Sequence, residues 1–186
     1  MKLFLILTGC MSLIAGAAVT TAPVDDGAVQ VNYGLIKSFD YRESRNMCLA
    51  ARKKCGAKMS QTQIQLQVCN KTDTTQIWKF HPSENAIHLA SPPGNKSVTQ
   101  CLTAIPEPDP EQVQPRHYLS VAPCNSTNPE QQFNTTISNG IKISSGALKD
   151  HCIDIPHYNY TAGTRVVMYN CKVPSELNQQ WITVSA

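Results

Sequence analysis

The chain has 186 residues, 16 basic against 13 acidic, and a formal charge of +3. That balance is too even to argue for a nucleic-acid surface, and the one basic cluster, Arg52-Lys53-Lys54 with Lys58, reads as a solvated loop. The length suits one domain with a sizeable core.

Residues 1–18 read as an export signal: Lys2 is the positive start, Leu3 to Ile14 a short apolar run, and Ala15-Gly16-Ala17-Ala18 a small-residue cleavage region. The run is too short to span a bilayer. Cys10 falls in this discarded peptide. Residues 19–30 read as a flexible leader and residues 31–186 as the domain, which is expected to be secreted.

From there the chain alternates short apolar strands with turn residues and shows no sustained helical period. The first repeat, about 31–82, offers strands at 35–38, 47–50, 64–68 and 76–80. The second, about 83–136, offers 86–89, 100–103, 118–121 and 132–135, with a long proline-rich loop from Ile105 to Pro115. The third, about 137–186, offers 140–143, 151–154, 166–169 and 180–184.

One pattern ties the repeats together. Cys69 precedes Gln76-Ile77-Trp78, Cys124 precedes Gln131-Gln132-Phe133, and Cys171 precedes Gln179-Gln180-Trp181. Each of these cysteines has an upstream partner, Cys48, Cys101 and Cys152. A unit recurring about every fifty residues is one supersecondary element used three times. In an exported chain the pairs read as disulfides rather than zinc ligands, each closing a loop of about twenty residues and contributing about 3 kcal/mol. Cys55 has no counterpart; it is buried and free, links two chains into a disulfide-linked dimer, or displaces Cys48 as partner of Cys69. Twelve strands in three four-strand units fit an all-β fold, the β-trefoil, with the Gln-x-aromatic ring of each repeat in a shared core. The Gln amide is expected to satisfy backbone groups at a strand end. Asn70, Asn95, Asn125, Asn134 and Asn159 are glycosylation sequons.

Over residues 30–186 the pattern resembles the ricin B-type (R-type) β-trefoil lectins, whose repeats run Cys-Leu/Val-Asp, aromatic-Pro-Cys, then Asn-Gln-x-Trp. The resemblance implies a sugar site in a repeat that supplies an Asp two residues after its first Cys, an aromatic two before its second, and Asn-Gln in the last motif. The third repeat does: Asp154, Tyr169, Asn178 and Gln179. Asp154 accepts from sugar hydroxyls, Tyr169 stacks under a galactose-type C–H face, Asn178 donates and accepts, and Gln179 braces Asp154. The family's Gln four residues before the second Cys is replaced by Val167, and His157, Tyr158 and Tyr160 lie in the neighbouring loop. The first repeat has Ala50, Gln67 and Thr75 at the site positions and the second has Thr103, Ala122 and Glu130, so both are expected to be blind to sugar.

The implied partners are glycans or glycoproteins. The five histidines are scattered in sequence and no catalytic motif appears, so no enzyme activity, cofactor or metal is expected. The competing expectation is a sugar-blind trefoil that binds protein partners through its loops, as an inhibitor or antagonist would.

Overall fold

The structure, a computed structural model, describes residues 33–39, 45–53, 62–81, 84–90, 99–108, 116–137, 141–174 and 176–186. The export signal, the leader, Cys55, Asn95, Lys54, Lys58 and most of the proline-rich segment lie outside them.

Within each repeat the first cysteine faces the residue two before the second: Cys48 lies opposite Gln67, Cys101 opposite Ala122 and Cys152 opposite Tyr169. That register, used three times, brings the cysteines together as Cys48–Cys69, Cys101–Cys124 and Cys152–Cys171, with Cα atoms 5.0, 4.9 and 5.0 Å apart. Of the three fates open to Cys55, displacement of Cys48 is therefore excluded.

Twelve strands form: β1 (Tyr33–Ser38), β2 (Met47–Lys53), β3 (Thr62–Val68), β4 (Ile77–His81), β5 (Ala86–Leu89), β6 (Gln100–Pro108), β7 (His117–Pro123), β8 (Phe133–Ile137), β9 (Ile141–Ser145), β10 (His151–Asp154), β11 (Val167–Asn170) and β12 (Trp181–Ser185). Three short 3-10 turns, which sequence periodicity did not foreshadow, span Pro129–Gln131, Pro156–Tyr158 and Leu177–Gln179. Pairings run β9–β12–β1–β4–β5 and β8–β9, all antiparallel. Phe133 N donates to Asn85 O at 2.6 Å where β5 and β8 approach. The remaining strands form the hairpins β2–β3, β6–β7 and β10–β11. The hairpins meet through the β7–β11 pairing and a bridge between Gln65 and Arg165. A ring of strands capped by three hairpins is a β-trefoil.

The interior repeats with the sequence. Leu49, Leu102 and Ile153, each following its repeat's first cysteine, are fully buried, as are Ile64, Leu119 and Val166, five residues before the second. Trp78, Phe133 and Trp181 join the same cluster. Trp78 Nε1 donates to Leu49 O at 3.0 Å and Trp181 Nε1 to Ile153 O at 3.2 Å, the same bond in two repeats. Phe133 fills the third place without a donor.

The proline-rich loop begins later than expected. Strand β6 continues through Pro106, Glu107 and Pro108, all exposed, and Pro108 pairs with His117 across a register shift after Ile105. Proline is compatible with a strand where pairing is irregular and its missing N–H faces solvent. No helix among the described residues is long and apolar enough to cross a membrane.

Candidate functional site

The first Gln of each repeat motif spans its second cysteine. Gln76 Nε2 donates to Val68 O (3.1 Å) and its Oε1 accepts from Asn70 N (3.0 Å). Gln131 binds Pro123 O (3.0 Å) and Asn125 N (2.7 Å), and Gln179 binds Asn170 O (2.8 Å) and Lys172 N (2.9 Å), in the same way. Each amide also donates to one further group, and here the repeats diverge. In the first that group is Asp73 Oδ2 (3.1 Å), in the second Thr103 Oγ1 (3.2 Å) and in the third Asp154 Oδ2 (2.9 Å).

Only in the third repeat is this group a carboxylate on the hairpin's first strand. Asp154 lies opposite Val167 in the β10–β11 register, and Cys152 opposite Tyr169. Side chains two apart on paired strands share a face, so Asp154 and Tyr169 are diagonal neighbours on one side of the hairpin. Asn178 Nδ2 donates to Asp154 Oδ2 at 2.9 Å and to Ile155 O at 3.2 Å, and Ile155 N donates back to Asn178 O at 2.8 Å. Asp154 is 3 % exposed and Gln179 is fully buried, whereas Tyr169 is half-buried. Both donors converge on Oδ2. Oδ1 has no hydrogen-bond partner among the described residues and remains an acceptor.

Charge around this carboxylate is mostly positive. Lys172 Nζ reaches Glu176 Oε2 at 2.6 Å and Asn178 Oδ1 at 3.5 Å, and lies 5.0 Å from the Tyr158 ring centre. Arg116, 6 % exposed, stands 5.5 Å from the Tyr169 ring centre and donates from Nη2 to His157 Nε2 at 3.2 Å. His157 and the following Tyr158 hold φ of 52° and 54°, the left-handed region that non-glycine residues seldom adopt. Burial pushes the Asp154 pKa above its ordinary value. The Gln179 hydrogen bond and the charges of Lys172 and Arg116 pull it back in part, while Glu176 adds to the rise.

All four expected site residues therefore come together, in unequal roles. Asp154 and Tyr169 present groups to the hairpin face. Asn178 spends both amide hydrogens on Asp154 and Ile155, and Gln179 spends its amide on Asp154 and backbone. Of the loop residues, His157 contacts Arg116, whereas Tyr160 packs on the core with Arg45 4.0 Å from its ring centre. Val167 is fully buried. Arg116 was not foreseen. It belongs to the preceding repeat, and the β7–β11 register, His117 to Met168 and Tyr118 to Val167, carries it opposite Tyr169.

In the other repeats Ala50 is buried and has no side-chain oxygen, and Thr103 is buried and bonded to Cys101 O at 3.0 Å. Asn70, Asn125 and Asn159 are exposed, and each Oδ1 accepts from the hydroxyl of the Thr two residues on, at 2.8, 2.8 and 2.7 Å; Asn134 is exposed on β8. Two histidines seven residues apart meet: the rings of His81 and His88 stack at 3.9 Å across the β4–β5 hairpin, and His88 Nε2 lies 3.3 Å from Glu84 Oε2. The ligand atoms of these three residues lie within 4.8 Å of one another. His88 also approaches Cys101 and Cys124, but both sulfurs are spent in their disulfide.

Strand order and register together define a β-trefoil, and in its third repeat a buried carboxylate shares a hairpin face with an aromatic ring. Residues 99–185 match the ricin-type beta-trefoil lectin domain. Similar solved structures include the β-trefoil lectin of the Vibrio vulnificus hemolysin/cytolysin, solved with N-acetyl-D-lactosamine bound (16% identity, TM-score 0.56, covering 84% of this chain and 96% of that one). The C-half of an earthworm R-type lectin in complex with GalNAc is another (17%, TM-score 0.52, 83% and 99%). A third is the Rhizoctonia solani agglutinin (15%, TM-score 0.56, 89% and 100%). At such identities the likeness establishes the fold. Among curated proteins no sequence match was found.

Proposed function

We propose that this chain is a secreted, non-enzymatic glycan-binding module that holds one saccharide ring in its third repeat, with a galactose-type ring favoured. The observation that carries this reading is a braced carboxylate, Asp154, with one oxygen unpartnered and the Tyr169 ring on the same hairpin face. A ring hydroxyl donates to Asp154 Oδ1 while the apolar C–H face of the sugar covers Tyr169. A single shallow site of this kind binds near millimolar, about −4 kcal/mol, and gains useful strength from clustered glycans or linked copies. The export-type residues 1–18, the three disulfides and the exposed sequons support a secreted glycoprotein.

A glycan array with wild type, Asp154→Ala and Tyr169→Ala tests the reading. Both variants should keep the wild-type melting temperature within a few degrees and lose the signal. Equal signal from folded Asp154→Ala and wild type removes the site. One observation favours protein binding instead: the exposed Pro106-Glu107-Pro108 end of β6. If that end is the working surface, capture of a protein partner survives excess galactose and is lost on deleting residues 106–115.

A further inference from the structure

We propose that the third-repeat pocket contains an anion subsite built on Arg116, so that its saccharide carries a carboxylate or a sulfate ester. The inference rests on the sugar-binding reading above and narrows its ligand class.

A guanidinium carries five N–H donors and a permanent charge. That of Arg116 is buried, yet its one hydrogen bond is to the His157 ring, and Nε and Nη1 have no partner. A buried charge with no counter-ion bonded to it is costly unless something completes the site. Asp154 is near enough to feel this charge but forms no hydrogen bond with the guanidinium. The neighbouring cation, Lys172, already has its own carboxylate in Glu176.

The position matters as much as the deficit. Arg116 stands across the strand pair from Tyr169, on the ring that would carry the sugar. Its Nη2 donates to the exposed His157, while Nε and Nη1 are shielded from solvent, so a ligand reaches the fork by displacing the His157 ring. A carboxylate or sulfate presents two oxygens to the arginine fork, the geometry such pairs favour. A neutral hydroxyl fills one donor and leaves the rest of the fork unpaired. Asp154 Oδ1, the Tyr169 ring and Arg116 would thus read three features of one ligand: a hydroxyl, an apolar face and an acid.

Titration calorimetry on the full chain with matched pairs tests this. One pair is a hexuronic acid glycoside and its carboxamide; the other is a sulfated glycoside and its unsulfated parent. In wild type the acidic member of at least one pair should bind about tenfold tighter or more, the usual worth of a charged hydrogen bond, and added salt should narrow the gap. The responding pair identifies the anion. Arg116→Gln should bring the two members of that pair to equal affinity, Arg116→Lys should restore part of the gap, and Asp154→Ala should abolish both. Equal affinity for acid and neutral partner in wild type, with Asp154→Ala still inactive, overturns the anion subsite and leaves the sugar site standing. No binding of any member overturns both. If Arg116→Gln does not fold, the wild-type comparison decides alone.

Discussion

Asp154 and Asp73 accept from equivalent glutamines and titrate in opposite directions. Burial raises both. At Asp73 the Thr75 hydroxyl and N–H, the charge of Arg52 and the Gln76 amide outweigh it and hold the pKa below the ordinary value. At Asp154 burial wins and the pKa is raised. Between the ordinary carboxylate range, about 4, and its raised pKa, folded Asp154 therefore holds a proton that the unfolded chain has lost. Folding gains from that proton as pH falls, and the ionised carboxylate costs stability near neutrality. Sugar binding at the proposed site should run the other way, because the ionised form is the stronger acceptor. Affinity for a neutral glycoside should thus fall as pH drops from neutrality, at a pH above that of exposed carboxylates. Calorimetric titrations at descending pH, with melting temperature followed in parallel, check this; constant affinity down to pH about 4 contradicts it. Asp154 was legible in the sequence because it sits at fixed distance from Cys152. Arg116 was not, since no spacing within one repeat encodes which residue of the preceding repeat will lie across from Tyr169.

At the scale of strands, β1 carries the closure: it pairs with β12 over five residues and with β4 over three. Two backbones crowd it, and Gly34 lies where a Cβ would come within 2.7 Å of Val184 O. Gly34→Ala should therefore force β1 and β12 apart and destabilise the fold by about 1–3 kcal/mol, the usual cost of overpacking. The loss appears as a lower urea midpoint at unchanged slope, with sugar affinity of the folded molecule unaltered. All twelve strands were visible as alternating apolar runs, because every one lines a shared core on one face. Their ends were less visible. β6 outruns its apolar residues through Pro106 to Pro108, held by pairing to His117 rather than by burial. Likewise His81 and His88 looked scattered until the β4–β5 register, Lys79 opposite His88 and His81 opposite Ala86, set them diagonally on one face.

Across the described residues, threefold repetition separates the contacts that all repeats share from the one proposed to serve binding. Gln76, Gln131 and Gln179 make the same two backbone bonds, and all are buried. Replacing any one with Leu keeps the volume and strands one backbone N–H and one C=O, so each should cost a similar amount, about 1–3 kcal/mol. The third contact is what differs. Gln179→Leu also releases a donor from Asp154 Oδ2, while Gln76→Leu releases one from Asp73 and Gln131→Leu one from Thr103. Urea unfolding should therefore show three comparable losses, whereas glycan binding by the folded fraction should weaken in Gln179→Leu alone. If all three variants bind sugar as wild type does, the brace on Asp154 is scaffold only. If all three lose binding, the pocket is not confined to the third repeat. A loss in Gln179→Leu alone would locate function in the one contact where the repeats differ, and leave the two contacts they share to the barrel.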